Sequence, residues 1–349
     1  MMKYANFPGC SANTTGKSFT ISTNYVAKKI GCEFVDIPDW NCCGTSAAAL
    51  TSPELAVALP ARSLAIAEQK LPGLDVVAAC AGCYKSLRTS LVYARKSAEN
   101  LEQVRELIDM PYEATTDVIS LLEAFSAPEA REAIAAKVVK KLRCLKVACY
   151  YGCAMVRPVE VCDFDDPEDP QSMDELMALI GAEPVDWAFK TECCGAAQQM
   201  AVPKEARPMI ERIFQNAWAN GADCIVTSCP LCMLNLDMRE AEINKARIAA
   251  GKEPFDIPCY YFTELIGLAF GGQASELGID IHFHPAEQLL QKRAQDAIEL
   301  EKAEAAARAE EERRQAELAE RIARKKAEKA AKEAAAAKEG ADVGKEDAR

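Results

Sequence analysis

The stretch Cys193-Cys194-Gly195 has an earlier counterpart, Cys42-Cys43-Gly44, and each lies at the centre of the same longer pattern. In both copies a single cysteine precedes the doublet and a Cys-x-x-Cys motif follows it. The first copy consists of Cys10, Cys42, Cys43, Cys80 and Cys83, and the second of Cys153, Cys193, Cys194, Cys229 and Cys232. Ten of the sixteen cysteines therefore belong to one five-cysteine pattern that occurs twice, which chance does not produce.

The spacing within the two copies is similar without being identical. In the first copy 31 residues (11–41) precede the doublet and 36 (44–79) follow it. In the second copy the corresponding gaps are 39 (154–192) and 34 (195–228). The offset between copies is 143 residues at the first cysteines (153 − 10) and 149 at the last (232 − 83). An internal duplication accounts for this repeat.

Short apolar or alternating segments precede the cysteine groups of both copies, and we predict strands there. These predicted strands cover residues 3–7, 33–37, 75–79, 145–148, 183–187 and 223–227. Helical segments separate them, including one over residues 16–30 that ends at Gly31. Strands that alternate with helices build a parallel sheet, whose sites lie at the carboxyl ends of the strands. We therefore expect the three cysteine groups of each copy to converge at one sheet edge.

The predicted fold is α/β, with two similar parallel-sheet domains related by internal duplication, at residues 1–140 and 141–285. A segment at residues 117–122 resembles one at 262–267 and is expected to be equivalent to it. Residues 286–349 are rich in Ala, Glu, Lys and Arg, and no large apolar residue occurs between Leu300 and Leu318. A coiled coil needs a sustained apolar heptad, so we predict a long, charged, solvated C-terminal helix. A partner-docking role for this tail is the alternative.

The composition excludes several classes of protein. A net charge of −12 argues against nucleic-acid binding, and no apolar run is long enough for a membrane span. The N-terminal residues contain no apolar signal-peptide core, so a cytoplasmic location is expected. In a reducing compartment sixteen cysteines indicate thiolates for metal rather than disulfides. No Gly-x-Gly-x-x-Gly follows a predicted strand, so neither flavin nor nucleotide is expected on this chain.

Zinc and iron–sulfur clusters are the two metal groups that such thiolates indicate. Structural zinc is closed by four ligands, commonly from two Cys-x-x-Cys knuckles, whereas each copy here offers five cysteines and one such motif. An ordinary 4Fe–4S site also uses four cysteines. The fifth cysteine therefore favours an unusual multi-iron cluster, for example one with a bridging thiolate.

The repeated pattern resembles the cysteine-rich CCG domains of the catalytic B subunit of heterodisulfide reductase. The resemblance covers residues 3–284 and includes the flanks of the doublets at 37–41, 181–187 and 190–192. It implies two noncubane 4Fe–4S clusters that face each other around a substrate disulfide. By this resemblance the first cluster is bound by Cys10, Cys42, Cys43, Cys80 and Cys83, and the second by Cys153, Cys193, Cys194, Cys229 and Cys232.

The same resemblance implies an enzyme that reduces a disulfide to two thiols, either a CoM-S-S-CoB-like heterodisulfide or a bacterial equivalent. It also implies partner subunits, namely a C-type ferredoxin-like iron–sulfur subunit and an A-type flavin subunit. One position departs from the family, which commonly carries His where this chain has Ala154. Tyr150 and Tyr151 are the nearest substitutes as proton donors, although packed strand-end aromatics are the favoured interpretation of both.

Two other functions remain open. The paired domains of this chain also resemble those of iron–sulfur electron-transfer subunits in quinone-, fumarate- or lactate/glycolate-linked oxidoreductases. The presence of two complete five-cysteine sets favours the disulfide site, because a relay needs only one competent cluster. A third possibility is a sulfur-oxidation or aromatic-ring-reduction complex that has adopted this subunit.

The remaining candidate residues are interpreted as structural. Six cysteines lie outside the pattern: Cys32, Cys144, Cys149, Cys162, Cys224 and Cys259. Four of them lie in or beside apolar strand segments, where free cysteine behaves as a small hydrophobe, and only Cys149 is a candidate extra ligand. His282 and His284 alternate on a possible strand and are expected to be structural or exposed. Arg157 and Lys190 are candidates for a basic rim around an anionic substrate, although ordinary surface charges are the favoured interpretation of both.

Overall fold

The computed structural model describes residues 2–45, 47–198 and 201–346, with side chains as far as residue 334. Its contacts divide the chain into two compact units, Met1–Ala294 and Gln295–Arg349. Both sequence-derived domains lie in the first unit, and their division at residue 140 stays a prediction.

Two four-stranded parallel sheets form the first unit. The strands of the first sheet are β1 (Met2–Phe7), β2 (Cys32–Asp36), β3 (Val76–Ala78) and β4 (Val118–Ser120), in the spatial order β2-β1-β3-β4. Those of the second are β5 (Lys146–Tyr150), β6 (Glu183–Pro184), β7 (Cys224–Thr227) and β8 (Cys259–Tyr261), in the order β6-β5-β7-β8. The identical order confirms the predicted α/β fold with two similar parallel-sheet halves.

Helices connect the strands of both halves. The first half contains α1 (Lys17–Ile30), α2 (Ala47–Thr51), α3 (Pro53–Lys70), α4 (Ala81–Arg95), α5 (Ala98–Ile108), α6 (Leu121–Ser126) and α7 (Pro128–Lys137). The second contains α8 (Ser172–Leu179), α9 (Pro203–Ala219), α10 (Pro230–Ala249), α11 (Phe262–Ala269), α12 (Ala274–Leu277) and a 3₁₀ turn, Ile279–Ile281. As expected, α1 ends at Gly31, whose left-handed backbone (φ 72°) stops the helix.

Three details of the sequence prediction are wrong. The strand expected over residues 183–187 is shorter, Glu183–Pro184, although the Val185 N–H still donates to the Val147 carbonyl at 2.9 Å. The segment equivalent to β4 is β8, so Val118 corresponds to Cys259, and the proposed match of 117–122 with 262–267 is out of register. His282 and His284 follow a 3₁₀ turn instead of lying on a strand.

The two halves pack through α1 and α11. The ring of Phe19 on α1 stacks on Tyr261, with 4.2 Å between centroids, and both side chains are buried. Ser22 and Thr263 share a buried hydrogen bond of 2.7 Å between their hydroxyl oxygens. The halves therefore share one apolar core.

The predicted charged C-terminal helix is confirmed as α13 (Glu287–Glu346). Residues 305–334 are all exposed, in keeping with a helix that has no apolar face. Within the described ranges, no helix has both the length and the apolar character needed to cross a membrane.

Candidate metal centre

The cysteines of the repeated pattern lie at the carboxyl ends of the strands in both halves. Cys10 follows β1, the doublet Cys42-Cys43 follows β2, and Cys80 follows β3 and caps α4, whose first turn carries Cys83. The second half places its five cysteines in the same way, after β5, β6 and β7 and in the first turn of α10. We call these groups the first and second cysteine sets.

In the first set the thiols approach one another in pairs. The sulfur atoms of Cys43 and Cys83 lie 3.3 Å apart, and Thr45 Oγ1 is 3.2 Å from Cys43 Sγ. The hydrogen bond with Cys83, and more weakly that with Thr45, lowers the pKa of Cys43 to about 6. Cys10 interacts with Cys42, and burial followed by the Cys42 thiol raises the pKa of Cys10.

The second set repeats the same pairing. The sulfur atoms of Cys194 and Cys232 lie 3.6 Å apart, and Cys153 interacts with Cys193. The Gly195 backbone N–H donates to Cys193 Sγ at 3.3 Å. The hydrogen bond from Cys153, assisted by this N–H, lowers the pKa of Cys193 to about 6. In each half the isolated cysteine thus pairs with the first of the doublet, and the second of the doublet with the last of Cys-x-x-Cys.

The remaining cysteine of each set connects the first cysteine set to the second. Cys80 and Cys229, the first residues of the two Cys-x-x-Cys motifs, interact through their side chains across the halves, and both are buried. Hydrogen bonds from Cys232 and then Cys80 lower the pKa of Cys229 well below its usual value. The two cysteine sets are therefore contiguous, and we call the meeting point of Cys80 and Cys229 the junction.

Two glycines let the backbone approach the last cysteine of each set. Gly9 and Gly152 directly precede Cys10 and Cys153 and have positive φ angles of 73° and 71°. A Cβ atom would lie 3.3 Å from Cys83 Sγ at Gly9 and 3.1 Å from Cys232 Sγ at Gly152. Sulfur therefore occupies the space that a side chain would take in both halves.

Exposure differs within the sets in a consistent way. Cys10, Cys42 and Cys153 are exposed and Cys193 is half-buried, whereas the doublet's second cysteine and both Cys-x-x-Cys residues are buried in each half. Each set is therefore open on the side of its isolated cysteine and closed towards the core.

The donor chemistry of these sets fits an iron–sulfur group. Thiolates are soft ligands that select Fe–S clusters, zinc or Cu(I), and five of them are brought to one sheet edge in each half. Cys83 interacts with both Cys43 and Cys80, and Cys232 interacts with both Cys194 and Cys229. Within residues 2–45, 47–198 and 201–346, no group of three His, Cys, Asp or Glu side chains is arranged to hold a metal ion. Assignment of the ten cysteines as cluster ligands stays a prediction.

The basic rim expected from Arg157 and Lys190 is wrong. Lys190 is buried and forms ion pairs with Asp169 (2.8 Å) and Asp174 (3.0 Å). Arg157 pairs with Glu168 at 2.8 Å. The backbone carbonyl of Lys190 also accepts hydrogen bonds from the N–H groups of residues 151 and 152. Lys190 thus ties the segment before the second doublet to the segment that carries Cys153.

Tyr150 and Tyr151 are packed aromatics, as favoured from the sequence. Both are fully buried. The Tyr150 hydroxyl donates to the Glu192 carbonyl at 2.6 Å, and the Tyr151 hydroxyl bonds Asp174 at 2.7 Å. Their hydroxyl protons are therefore held by groups of the second half.

The cysteines outside the pattern are mostly buried and the histidines contact buried carboxylates, as expected of residues with a structural role. Five of the six additional cysteines are buried, and Cys144 is half-buried. Burial raises the pKa of the Cys149 thiol well above its usual value. The Cys149 thiol lies by Asp174, which makes it a poor ligand candidate. His282 and His284 contact the buried carboxylates of Glu264 and Glu240, both at 2.9 Å.

Sequence reasoning missed two buried hydroxyls near the junction, those of Ser228 and Tyr261. Neither has a hydrogen-bond partner among the described residues. Ser228 immediately precedes Cys229, so its position was visible in the sequence. Tyr261 is remote from every cysteine of the pattern, and only the pairing of β7 with β8 brings it near.

Comparison with known proteins gives a consistent grouping. A family model described as a cysteine-rich domain, CCG, matches residues 4–88 and 147–237. The 8-methylmenaquinol:fumarate reductase membrane anchor subunit of Wolinella succinogenes is 31% identical over 290 residues, which cover 82% of this chain and 99% of that protein. The B subunit of the ferredoxin/F(420)H(2)-dependent CoB-CoM heterodisulfide reductase of Methanosarcina acetivorans is 28% identical over 286 residues, covering 80% of this chain and 93% of that protein.

Two further likenesses extend this grouping. A protein of Archaeoglobus profundus, named for its similarity to the B subunit of heterodisulfide reductase, is 28% identical over 282 residues, covering 78% of this chain and 91% of that protein. Among solved structures, a hypothetical protein from Helicobacter pylori matches with a TM-score of 0.61 and 14% identity, over 81% of this chain and 52% of that one. The second likeness concerns the fold alone.

Proposed function

The chain belongs to the cysteine-rich CCG-domain family, and on that premise we propose that it is the catalytic iron–sulfur subunit of a heterodisulfide reductase-like complex. In this proposal it reduces a disulfide, either a CoM-S-S-CoB-like heterodisulfide or a bacterial equivalent, to two thiols. Each cysteine set would hold one noncubane 4Fe–4S cluster.

The observation that carries the proposal is the side-chain interaction between buried Cys80 and buried Cys229, which belong to different halves. Because the two sets meet there, groups held by them would be neighbours and would serve one site instead of two separate ones. Reduction of a disulfide requires two electrons and two protons, and clusters supply electrons singly. Two adjacent centres therefore match the electron count of the reaction.

The protein's own residues would position these groups and control access to them. The exposed residues Cys10, Cys42 and Cys153 leave the outer side of each set open to a small disulfide. Buried Cys80 and Cys229 keep the junction dry. Gly9 and Gly152 give the space in which a bulky group can lie against the backbone.

The electron donor would lie on other subunits. The chain carries no Gly-x-Gly-x-x-Gly motif after a strand, so flavin chemistry is assigned to an A-type partner. A C-type ferredoxin-like subunit would connect that flavin to this chain. The relationship to the B subunits of heterodisulfide reductases supports partner subunits in general, and these two types are the ones that the family resemblance implies.

A second candidate function is an electron relay in a quinone- or fumarate-linked oxidoreductase. The observation that favours it is the 31% identity to a subunit of 8-methylmenaquinol:fumarate reductase over 99% of that protein's length. In a relay the junction would pass electrons from one set to the other, and no disulfide would be bound.

Elemental analysis of anaerobically purified protein tests the cluster assignment. We expect about eight irons per chain, four for each set, with matching acid-labile sulfide. Two zinc ions per chain with no labile sulfide would contradict the assignment.

Titration with thiols then separates the two functions. In a disulfide reductase, addition of a physiological thiol to the oxidised protein should produce a new paramagnetic signal, and addition of the disulfide to the reduced protein should abolish reduced-cluster signals. Absence of any effect with every thiol tried, combined with oxidation of the reduced protein by a menaquinone analogue, would support the relay.

A further inference from the structure

Tyr261 and Ser228 carry hydroxyl groups whose burial is unexplained by the protein's own hydrogen bonds. Both residues are fully buried, with 0% exposure, and neither hydroxyl has a hydrogen-bond partner within the described part of the chain. A buried hydroxyl without a partner destabilises the folded state, because it gives up its hydrogen bonds to water. Native proteins retain such groups rarely, and each calls for a specific explanation.

Both residues lie beside the junction, Ser228 next to Cys229 in the chain and Tyr261 close enough to interact with Cys229 and Cys80. Tyr261 ends β8 and is paired in register with Thr227, the last residue of β7, and Ser228 and Cys229 follow directly. Phe19 covers one face of the Tyr261 ring at 4.2 Å, which fixes the orientation of the ring. A phenolic hydroxyl can donate a hydrogen bond, so the Tyr261 side chain carries a donor into this buried region.

We propose that Tyr261 and Ser228 donate hydrogen bonds to sulfur atoms of the group held by the second cysteine set at the junction, and that they raise its reduction potential. The inference rests on the proposed iron–sulfur function. Hydrogen bonds to cluster sulfurs are among the factors that set cluster potentials. A donor stabilises the more negatively charged, reduced state, so two donors make that centre easier to reduce.

The first half lacks both donors, which makes the two centres unequal. Ala79 occupies the position equivalent to Ser228, directly before Cys80. Ser120 occupies the position equivalent to Tyr261 at the end of β4, and its hydroxyl accepts a hydrogen bond from the Glu123 N–H at 2.9 Å. Tyr261 and Ser228 would therefore act on the second centre alone, and their removal should change only its potential.

The test is an anaerobic redox titration of the full-length, iron-loaded protein, followed by EPR. Tyr261→Phe and Ser228→Ala should each shift the midpoint potential of the second centre to a more negative value, and the double variant should shift it further. The potential of the first centre should stay unchanged. In the wild type, exchange into D₂O should give a deuteron coupling at the second centre, and the coupling should weaken in each variant.

Tyr112→Phe is the matched control. Tyr112 is also a fully buried tyrosine whose hydroxyl lacks a partner among the described residues, but it lies in the first half, near Glu68 and Arg95. This variant should leave both potentials unchanged. Full iron content with an unaltered second potential in Tyr261→Phe and Ser228→Ala would overturn the inference.

Two other experimental outcomes also bear on the inference. If Tyr261→Phe does not retain iron, the smaller change Ser228→Ala decides, and an unchanged potential there overturns the inference. Absence of iron and sulfide from the wild type would contradict the proposed function itself, and this inference with it.

Discussion

The rings of Phe19 and Tyr261 lie parallel, with 4.2 Å between centroids and 3° between planes, and they join α1 of the first half to the end of β8 in the second. Ser22 and Thr263 reinforce the same contact with a buried hydrogen bond of 2.7 Å. These contacts fix the two halves relative to each other beside the junction of the cysteine sets.

Phe19→Ala should destabilise the whole first unit. The side chain is 2% exposed, and removal of a buried phenylalanine ring costs about 3–5 kcal/mol through lost transfer energy and the cavity left behind. Chemical unfolding followed by circular dichroism measures the loss, and Phe19→Leu should lose less. A loss below about 1 kcal/mol in Phe19→Ala would mean that the halves do not depend on this contact.

Gly152→Ala should deplete iron from the second half, because its Cβ would lie 3.1 Å from Cys232 Sγ. Gly9→Ala should act in the same way on the first half, where the corresponding distance to Cys83 Sγ is 3.3 Å. Iron and labile sulfide per chain are the measurements.

Gly221→Ala and Gly31→Ala are matched controls for these variants. Their φ angles are 73° and 72°, so they carry the same backbone strain, but a Cβ at either position meets nothing within 4 Å. Equal iron content in Gly152→Ala and Gly221→Ala would show that contact with the cysteine is unimportant.

Truncation after Ala294 should leave iron content and melting temperature unchanged. The deleted part, residues 295–349, forms its own contact unit, and its residues 305–334 are exposed. A cut at residue 290 would also remove Arg293, which forms an ion pair with Asp223. We therefore expect the shorter protein to be less stable than the one that ends at Ala294. Loss of iron after the Ala294 truncation would show that the tail supports the site.

Stability should fall as the pH rises through the titration of Glu123. Burial raises the pKa of Glu123 to about 7 from its ordinary value of 4.5, against the opposing effects of the Ser120 N–H and Arg88. The folded protein therefore holds a proton that the unfolded chain releases. The stability linked to that proton is fully present below about pH 4.5 and is lost as the pH rises through about 7.

Glu123→Gln should remove this dependence. Glutamine stays neutral and still accepts from the Ser120 N–H, so the cap of α6 is kept. The slope of unfolding free energy against pH should become shallower than in the wild type by up to about 1.4 kcal/mol per pH unit. Identical slopes for the two proteins would contradict the raised pKa.

The parts of this structure that depend on residues close together in the sequence could be predicted. Apolar strands that lead into cysteines, and Gly31 at the end of α1, predicted the α/β fold and, in each half, the sheet edge that carries one cysteine set. The sequence-based prediction overextended β6, which spans only Glu183–Pro184 although polar and apolar residues continue to alternate as far as Trp187.

Features that depend on contacts distant in sequence were not predictable. The pairing of Cys80 with Cys229 depends on how the halves pack, which no spacing reveals. Lys190 was interpreted as a surface cation, yet Asp169 and Asp174, which precede it in the sequence, pair with it in a buried site. No sequence pattern pointed to Tyr261, because its position near the junction depends on strand pairing and burial.

Disulfide reduction by single-set variants tests the central claim, that the two cysteine sets act together at one site. Cys42→Ser and Cys193→Ser each replace a soft thiolate with a hard hydroxyl, which binds iron poorly. Cys144→Ser, outside both sets, is the control and should retain full activity. The assay is viologen-driven reduction of the disulfide, with EPR of the same samples. Our account predicts that either variant loses activity by a large factor while the untouched set keeps its iron and its signal. Undiminished electron transfer through Cys42→Ser, with no response of the wild type to any thiol, would contradict it.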